Sequence, residues 1–285
     1  PTVEQMKGAV EAAKAAELTA YVDNVKNEPL VPELPAKGKI VKEAKADFGY
    51  TCWTLSNGAR VFFKKTDFNE SQILMSAQSF GGKGWFNDKD VVNFELMDQV
   101  INATGLGNFT TTELQKKLAG KQVSCSVSTG NATENLSGSS TPKDLRTLFE
   151  LIYLRFQAPA NDVDTYNTII AGLRTQLENV EKLPEAAFSD SLTKTVYGNH
   201  PRANRIKLAD LDKADYETIK RLYTERYNAG GDFDFYFTGN IDVDSLRLFA
   251  EQYIAPLKAV KKREGYNKKF ELEPLKGVRN NHFVR

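Results

Sequence analysis

Tyr50-Thr51-Cys52-Trp53-Thr54-Leu55 and Ala59-Arg60-Val61-Phe62-Phe63-Lys64 flank the tripeptide Ser56-Asn57-Gly58. Both runs alternate large apolar with polar or small side chains, and Asn-Gly between two such runs is the strongest short signal for a β-hairpin. Downstream, residues 72–79 read as a third strand that ends at Gly81-Gly82-Lys83-Gly84. The period then changes from two to that of a helix over residues 91–101 and again over 111–118. Residues 122–128 and 134–139 return to strand character around the turn Thr129-Gly130-Asn131.

From Pro142 to Val196 the chain is mostly helical. Leu145, Leu148, Phe149, Ile152 and Phe156 share one helix face, and Tyr166, Ile170, Leu173, Leu177 and Val180 share another. Pro142, Pro159 and Pro184 mark the boundaries. A helix over 213–227 leads into the alternating Phe233-Asp234-Phe235-Tyr236-Phe237, which is predicted to turn its phenylalanines toward helices and Asp234 and Tyr236 away from them. A last helix covers 243–253. Strands and helices come in blocks, so the expected class is α+β: a mixed, largely antiparallel sheet covered on one face by helices.

Upstream of the hairpin, residues 4–25 are rich in Ala, Glu and Lys with apolar residues at helical spacing, predicting an N-terminal helical arm of one helix or two. Pro29, Pro32, Pro35 and Gly38 then interrupt regular structure. The expected organisation is an arm and Pro-rich linker over 1–45, an α+β domain over 46–257, and a polar, solvated tail over 258–285. The start at Pro1, without initiator Met or signal sequence, reads as a piece cut from something longer.

Composition excludes several classes. With 38 Lys and Arg against 37 Asp and Glu, the net charge of +1 provides no overall field for nucleic acid. No run approaches the length of a membrane span. The 2 histidines, His200 and His282, cannot form the paired ligands of a helical zinc motif. Cys52 and Cys125 match neither a redox nor a zinc spacing and read as small core residues; whether they pair is open. Gly105-Leu106-Gly107 lacks the third glycine of a dinucleotide fingerprint, and Gly81-Gly82-Lys83-Gly84 lacks the Gly-Lys-Ser/Thr of a phosphate loop. His200, in Tyr197-Gly198-Asn199-His200-Pro201-Arg202, is the one internal base that a Ser or Cys nucleophile could use, so Tyr197, His200 and Arg202 are the loop candidates for binding.

An ordered series of segments carries a more specific resemblance. Leu55-Ser56-Asn57-Gly58-Ala59-Arg60-Val61, Lys65-Thr66-Asp67-Phe68 and Phe80-Gly81-Gly82 come first. Gly105-Leu106-Gly107-Asn108-Phe109-Thr110-Thr111-Thr112-Glu113-Leu114 follows, then Tyr197 to Arg202, and Asp232 to Asp242. Over residues 48–257 the chain resembles a domain of the pitrilysin/insulinase family of zinc metallopeptidases, a four-domain, bacterial-type member in particular.

That resemblance implies the following. The catalytic first domain of such proteins carries His-x-x-Glu-His on the helix after the third strand. Here the matching positions are Asn93, Leu96 and Met97, with Asn93 and Met97 in place of the two His ligands and Leu96 in place of the general base. Neither Asn nor Met replaces imidazole at catalytic zinc. The resemblance is therefore to the third, non-catalytic domain. It implies no metal in this fragment, zinc in the catalytic half of the parent polypeptide, that half together with a peptide or unfolded protein as partners, and a linker over 258–285 into a following domain. It also implies part of the wall of a peptide-degrading chamber as the role, and an extracytoplasmic, periplasmic setting. The alternative it leaves open is a family member without catalysis that serves as a structural or peptide-binding module.

Overall fold

The computed structural model describes residues 2–16 and 26–284. Helix α1 (Val3–Ala15) opens on a capping box between Thr2 and Gln5 and buries none of its residues. The expected continuation of this arm to residue 25 lies outside the described residues. The strands are β1 (Ile40–Lys45), β2 (Thr51–Leu55), β3 (Arg60–Lys65), β4 (Ile73–Phe80), β5 (Val123–Thr129), β6 (Thr133–Ser140) and β7 (Asp234–Gly239). The remaining helices are α2 (Val91–Ala103), α3 (Thr111–Lys117), α4 (Leu145–Arg155), α5 (Val163–Val180), α6 (Pro184–Tyr197), α7 (Tyr216–Tyr227) and α8 (Val243–Phe249), the last continued by a wider π turn over Ala250–Ile254.

The strands form one sheet in the order β1-β2-β3-β7-β4-β6-β5, and every neighbouring pair is antiparallel except β3 and β7. Strand β7 is inserted between β3 and β4, which follow one another in sequence but do not pair. Its composition explains the central place. Phe233, Phe235 and Phe237 are fully buried on the helix side, as expected, while Tyr236 opens to the other side. A continuous apolar row runs across the sheet through Trp53, Val61, Phe235, Ala77, Leu136 and Val127. Helix α4 lies on it with Leu145, Leu148, Phe149 and Ile152 buried. Phe149 stacks on Phe237 with centroids 5.0 Å apart, and Phe156 meets Phe233 edge-on at 4.9 Å. Each such ring is worth ~1.5–3 kcal/mol of burial. Helix α5 sits further out, with no buried residue and with Tyr166, Ile170, Leu173 and Leu177 half-buried against this core.

Two stretches depart from the expected organisation. Residues 40–45, assigned from sequence to the Pro-rich linker, form edge strand β1 against β2. Its charged side chains masked it, although Glu43 lies opposite Trp53 and accepts the indole N–H at 2.8 Å. The tail beyond 257, expected to be solvated, is tied to the domain. Arg263 donates to the Asp232 carbonyl at 2.8 Å, Glu264 pairs with Arg226 at 2.7 Å, and the Phe270 ring meets Trp85 at 5.2 Å. Arg226 also pairs with the wholly buried Glu134.

The segment from Gly105 to Leu114, which looked like a family signature, is a structural knot. A Cβ on Gly105 would lie 2.0 Å from the Phe109 carbonyl oxygen, so only glycine fits. Phe109 is buried, and Thr110 and Glu113 form the capping box of α3. Asp162, the N-cap of α5, clamps this knot by accepting from the Gly105 N–H at 3.1 Å, the Thr111 N–H at 3.0 Å and the Thr111 hydroxyl at 2.8 Å.

Burial alone would raise the Asp162 carboxyl, but the donors of Thr111 and Thr165 together outweigh it and hold the acid below the ordinary carboxylate value. The unfolded chain therefore takes up this proton first. The stabilisation is complete above the ordinary carboxylate range and is lost as pH falls through the depressed value. Asp162→Asn should cost about 1–3 kcal/mol at neutral pH and flatten the acid limb of stability, converging on the parent chain in acid; urea unfolding across that range checks it.

Candidate functional site

The helix that the resemblance aligns with a zinc motif is α2, and the side chains at those positions make structural contacts. The Asn93 side chain is buried, accepting the Asp215 N–H at 2.7 Å and donating to the Lys213 carbonyl at 3.3 Å, so both of its polar atoms are spent stapling the start of α7. Met97 is fully buried. Leu96 lines a cleft of about 370 Å³ between α2 and α5, walled by Leu173, Leu177, Val180, Ile206 and Leu211. An amide committed to backbone, a leucine and a methionine do not fit a zinc ion. Among the described residues no group of three His, Cys, Asp or Glu side chains is placed to hold a metal.

The loop candidates do not converge on a site. Tyr197 ends α6, and Gly198 beyond it takes the left-handed conformation that terminates the helix. His200 is exposed, its Nδ1 accepting the Arg202 N–H at 3.2 Å. Arg202 turns inward. Its guanidinium donates to Asp88 at 2.6 Å and to the Lys83 and Phe86 carbonyls at 2.8 and 2.5 Å, and covers the Phe94 ring at 5.1 Å. It pins the loop after α6 to the chain entering α2, leaving no donor arrangement for a ligand shared with His200.

The thiols are separated by the sheet itself. Cys52 lies opposite Phe62 on the uncovered face, whereas Cys125 lies opposite Gly138 and beneath α4 on the helix side; both are free. Burial pushes the Cys125 thiol up to about 11 and also raises Cys52, so neither is an activated nucleophile at neutral pH.

What the sequence reading did not resolve is the face that the helices leave open. Three rows cross it. One runs through Lys42, Thr54, Arg60, Asp234, Gln78, Asn135 and Ser128. The next passes through Ala44, Cys52, Phe62, Tyr236, Ser76, Ser137 and Ser126, and the third through Lys64, Thr238, Leu74, Ser139 and Ser124. The β5–β6 end is a carpet of hydroxyls that pair across the strands, Ser124 with Ser139 and Ser126 with Ser137, each at 3.1 Å. The β3–β7 end is aromatic. Phe62 and Tyr236 stack at 4.8 Å, with Tyr50 edge-on to Tyr236 and bonded through its hydroxyl to Thr238 at 2.9 Å. Among the described residues this surface brings together aromatic rings and hydroxyls but no acid–base pair placed for bond cleavage.

The β5 edge of the same sheet is closed by side chains. Asn102 imitates a neighbouring strand, accepting the Val127 N–H at 2.9 Å and donating to the Val127 carbonyl at 2.8 Å. Asp98 accepts the Thr129 N–H at 2.6 Å, and Arg155 donates to the Cys125 carbonyl at 2.9 Å. Strand addition is blocked along these residues.

Comparison with known proteins agrees with this geometry. No family model matches the chain. It is 22% identical over 248 residues to "Zinc protease PQQL-like" of Arabidopsis thaliana, covering 85% of this chain and 23% of that protein. The chain thus spans about a quarter of the length of the curated relatives it matches, the shares being 23% and 26%. Among solved structures, the periplasmic protease PqqL from Escherichia coli superposes with a TM-score of 0.74 at 19% identity, over 96% of this chain and 30% of that one. An inactive M16 peptidase domain from Pseudomonas fluorescens gives a TM-score of 0.60 at 17% identity, over 77% and 54%. The expected α+β fold and the resemblance to a non-catalytic metallopeptidase domain are borne out.

The closed edge has a measurable consequence. Asn102→Ala leaves the Val127 N–H and carbonyl without partners and reopens the edge. It should cost about 1–3 kcal/mol and produce concentration-dependent association, read by urea unfolding and light scattering, whereas the parent chain stays unassociated at the same concentrations.

Proposed function

We infer that this chain is a non-catalytic domain of a zinc metalloendopeptidase of the pitrilysin/insulinase family, and that its uncovered sheet face forms part of the wall of a peptide-degrading chamber. One observation carries the reading. The helix positions that the resemblance matches to zinc ligands are filled by Asn93, Leu96 and Met97 in structural roles, while among the described residues no helix covers the other face of the seven-stranded sheet. A wall needs such a face: ordered, polar enough to stay wet, and unable to trap a peptide by strand addition along β5.

In this reading zinc resides in the catalytic half of the parent protein, which is also the domain's principal partner, and the substrate is a peptide or an unfolded protein. The domain proper spans roughly the residues first expected, 46–257, extended at its start by β1, and the segment beyond 257 leads toward the next domain. The name of the Escherichia coli neighbour supports a periplasmic setting. No described helix is long and apolar enough to cross a membrane.

Purified chain, dialysed against a weak chelator, should contain no stoichiometric zinc by emission spectroscopy and should not cleave a quenched peptide with or without added zinc. Chelator-sensitive cleavage should appear when the catalytic half is supplied. One equivalent of tightly held zinc with cleavage by the chain alone would overturn the assignment. Failure of the catalytic half to gain activity from the chain would favour a structural or binding module.

A further inference from the structure

The connection between β1 and β2 places a residue where the backbone does not want it. Residues Asp47-Phe48-Gly49-Tyr50 form a tight turn closed by the Tyr50 N–H on the Asp47 carbonyl at 3.2 Å, with the Ala46 N–H on the Tyr50 carbonyl at 2.8 Å. Both central residues are left-handed, Phe48 at φ 58 and ψ 21 and Gly49 at φ 77. This is the type I′ arrangement, whose first central position belongs to Asn, Asp or Gly; a bulky side chain there is an outlier. Burial does not compensate, because Phe48 is 88% exposed.

Its surroundings are chemically specific. Phe48, Tyr50, Phe62 and Tyr236 border a hollow of about 360 Å³ on the uncovered sheet face. Lys64 braces the turn from below, donating to the Phe48 carbonyl at 2.8 Å and lying 6.0 Å from the Tyr50 ring centre. Arg60 covers Phe62 at 5.4 Å, and Lys42 stands in the same row as Arg60 with no ion pair among the described residues. Of the nearby carboxylates, Asp234 is already shared by Arg60 and Arg263, and Asp47 sits at the rim. Lys42, Arg60, Lys64 and Arg263 therefore outnumber the acids around the rings.

We propose that the hollow between Phe48 and the Tyr50–Phe62–Tyr236 cluster is a subsite for an aromatic side chain of an extended, acidic segment of the polypeptide substrate. It deepens the chamber-wall reading and rests on it. The guest ring packs against Phe48 and the stacked pair, while carboxylates on either side of it in the peptide meet Lys64 and Lys42. Strained backbone of this kind clusters at ligand clamps, where it holds a group in place before the ligand arrives.

The test uses the full chain and a fluorescein-labelled acidic nonapeptide with one central Phe, compared with the same peptide carrying Ala at that place and with one whose acids are replaced by Lys. Anisotropy should show the Phe peptide binding tightest, and more weakly as salt is raised. Phe48→Asn suits the turn, so its urea midpoint should equal or exceed that of the parent, yet it should bind the Phe peptide about two- to ten-fold more weakly. Tyr236→Ser should lose affinity likewise, and Phe188→Ser, an exposed ring on α6, should not. Equal binding of the Phe and Ala peptides, or unchanged binding by both Phe48→Asn and Tyr236→Ser, refutes the subsite. Mixing with the catalytic half separates the two readings. Restored cleavage by a chain that does not discriminate Phe from Ala refutes the subsite alone, and discrimination without restored cleavage refutes the chamber wall alone.

Discussion

The parallel contact between β3 and β7 is the constraint on which the rest of the domain depends. It brings Phe235 and Phe237 into register with Val61 and Phe63, and β4 then closes on the other side of the same strand. Because strand side chains alternate, committing these phenylalanines to the helices commits Tyr236 and Asp234 to the opposite face. The covered core and the open, ring-bearing surface are two sides of one register. A slip by a single residue would invert both.

Much of this was legible in advance because it is written in local periodicity. The strands around Asn57, the helix face of Leu145, Leu148, Phe149 and Ile152, and the alternation of Phe233 to Phe237 each contain their own signal. What stayed hidden depends on distant partners. Strand β1 looked like linker because an edge strand with Val41, Lys42, Glu43 and Lys45 lacks apolar alternation until Trp53 is known to lie opposite Glu43. The tail looked solvated because the partners of Arg263 and Glu264 are dispersed: Gly58 in the turn after β2, Asp232 and Asp234 around the start of β7, and Arg226 on α7. The hairpin signalled by Asn57-Gly58 is present, and Asn57 is buried there, donating to the Ile254 and Leu257 carbonyls at 2.8 and 3.0 Å. The tight left-handed turn built on Phe48 has no sequence signal that announces it. Tyr197 and His200 stood out from their residue types, but the structure gives neither a partner for chemistry, and Arg202 proves to be a brace.

Helix α2 differs from a zinc-bearing helix in more than its lack of ligands. A helix that holds a catalytic metal must keep its ligand face open to water and substrate. Helix α2 has closed that face with Phe94, Leu96 and Met97, used Asn93 as a staple, and turned Asp98 and Asn102 toward the backbone of β5. Burial raises the Asp98 carboxyl even though it accepts from Thr129. Two histidines placed at positions 93 and 97 would therefore not by themselves create a site, because the packing around them and the bonds that close the sheet edge occupy the same helix.

The central insertion also governs how the chain is made. Arg60 and Asp234, which meet across the β3–β7 pair, are 174 residues apart. During synthesis β3 and β4 both emerge well before β7, each with an unsatisfied backbone edge facing the gap that β7 will fill. At ~5–20 residues per second that interval lasts about 10–30 s. Pairings of such long range are slow to form and leave the nascent protein open to wrong partners. The ribosome thus delivers the keystone strand late, and the unfinished sheet must be kept from other strands until it arrives.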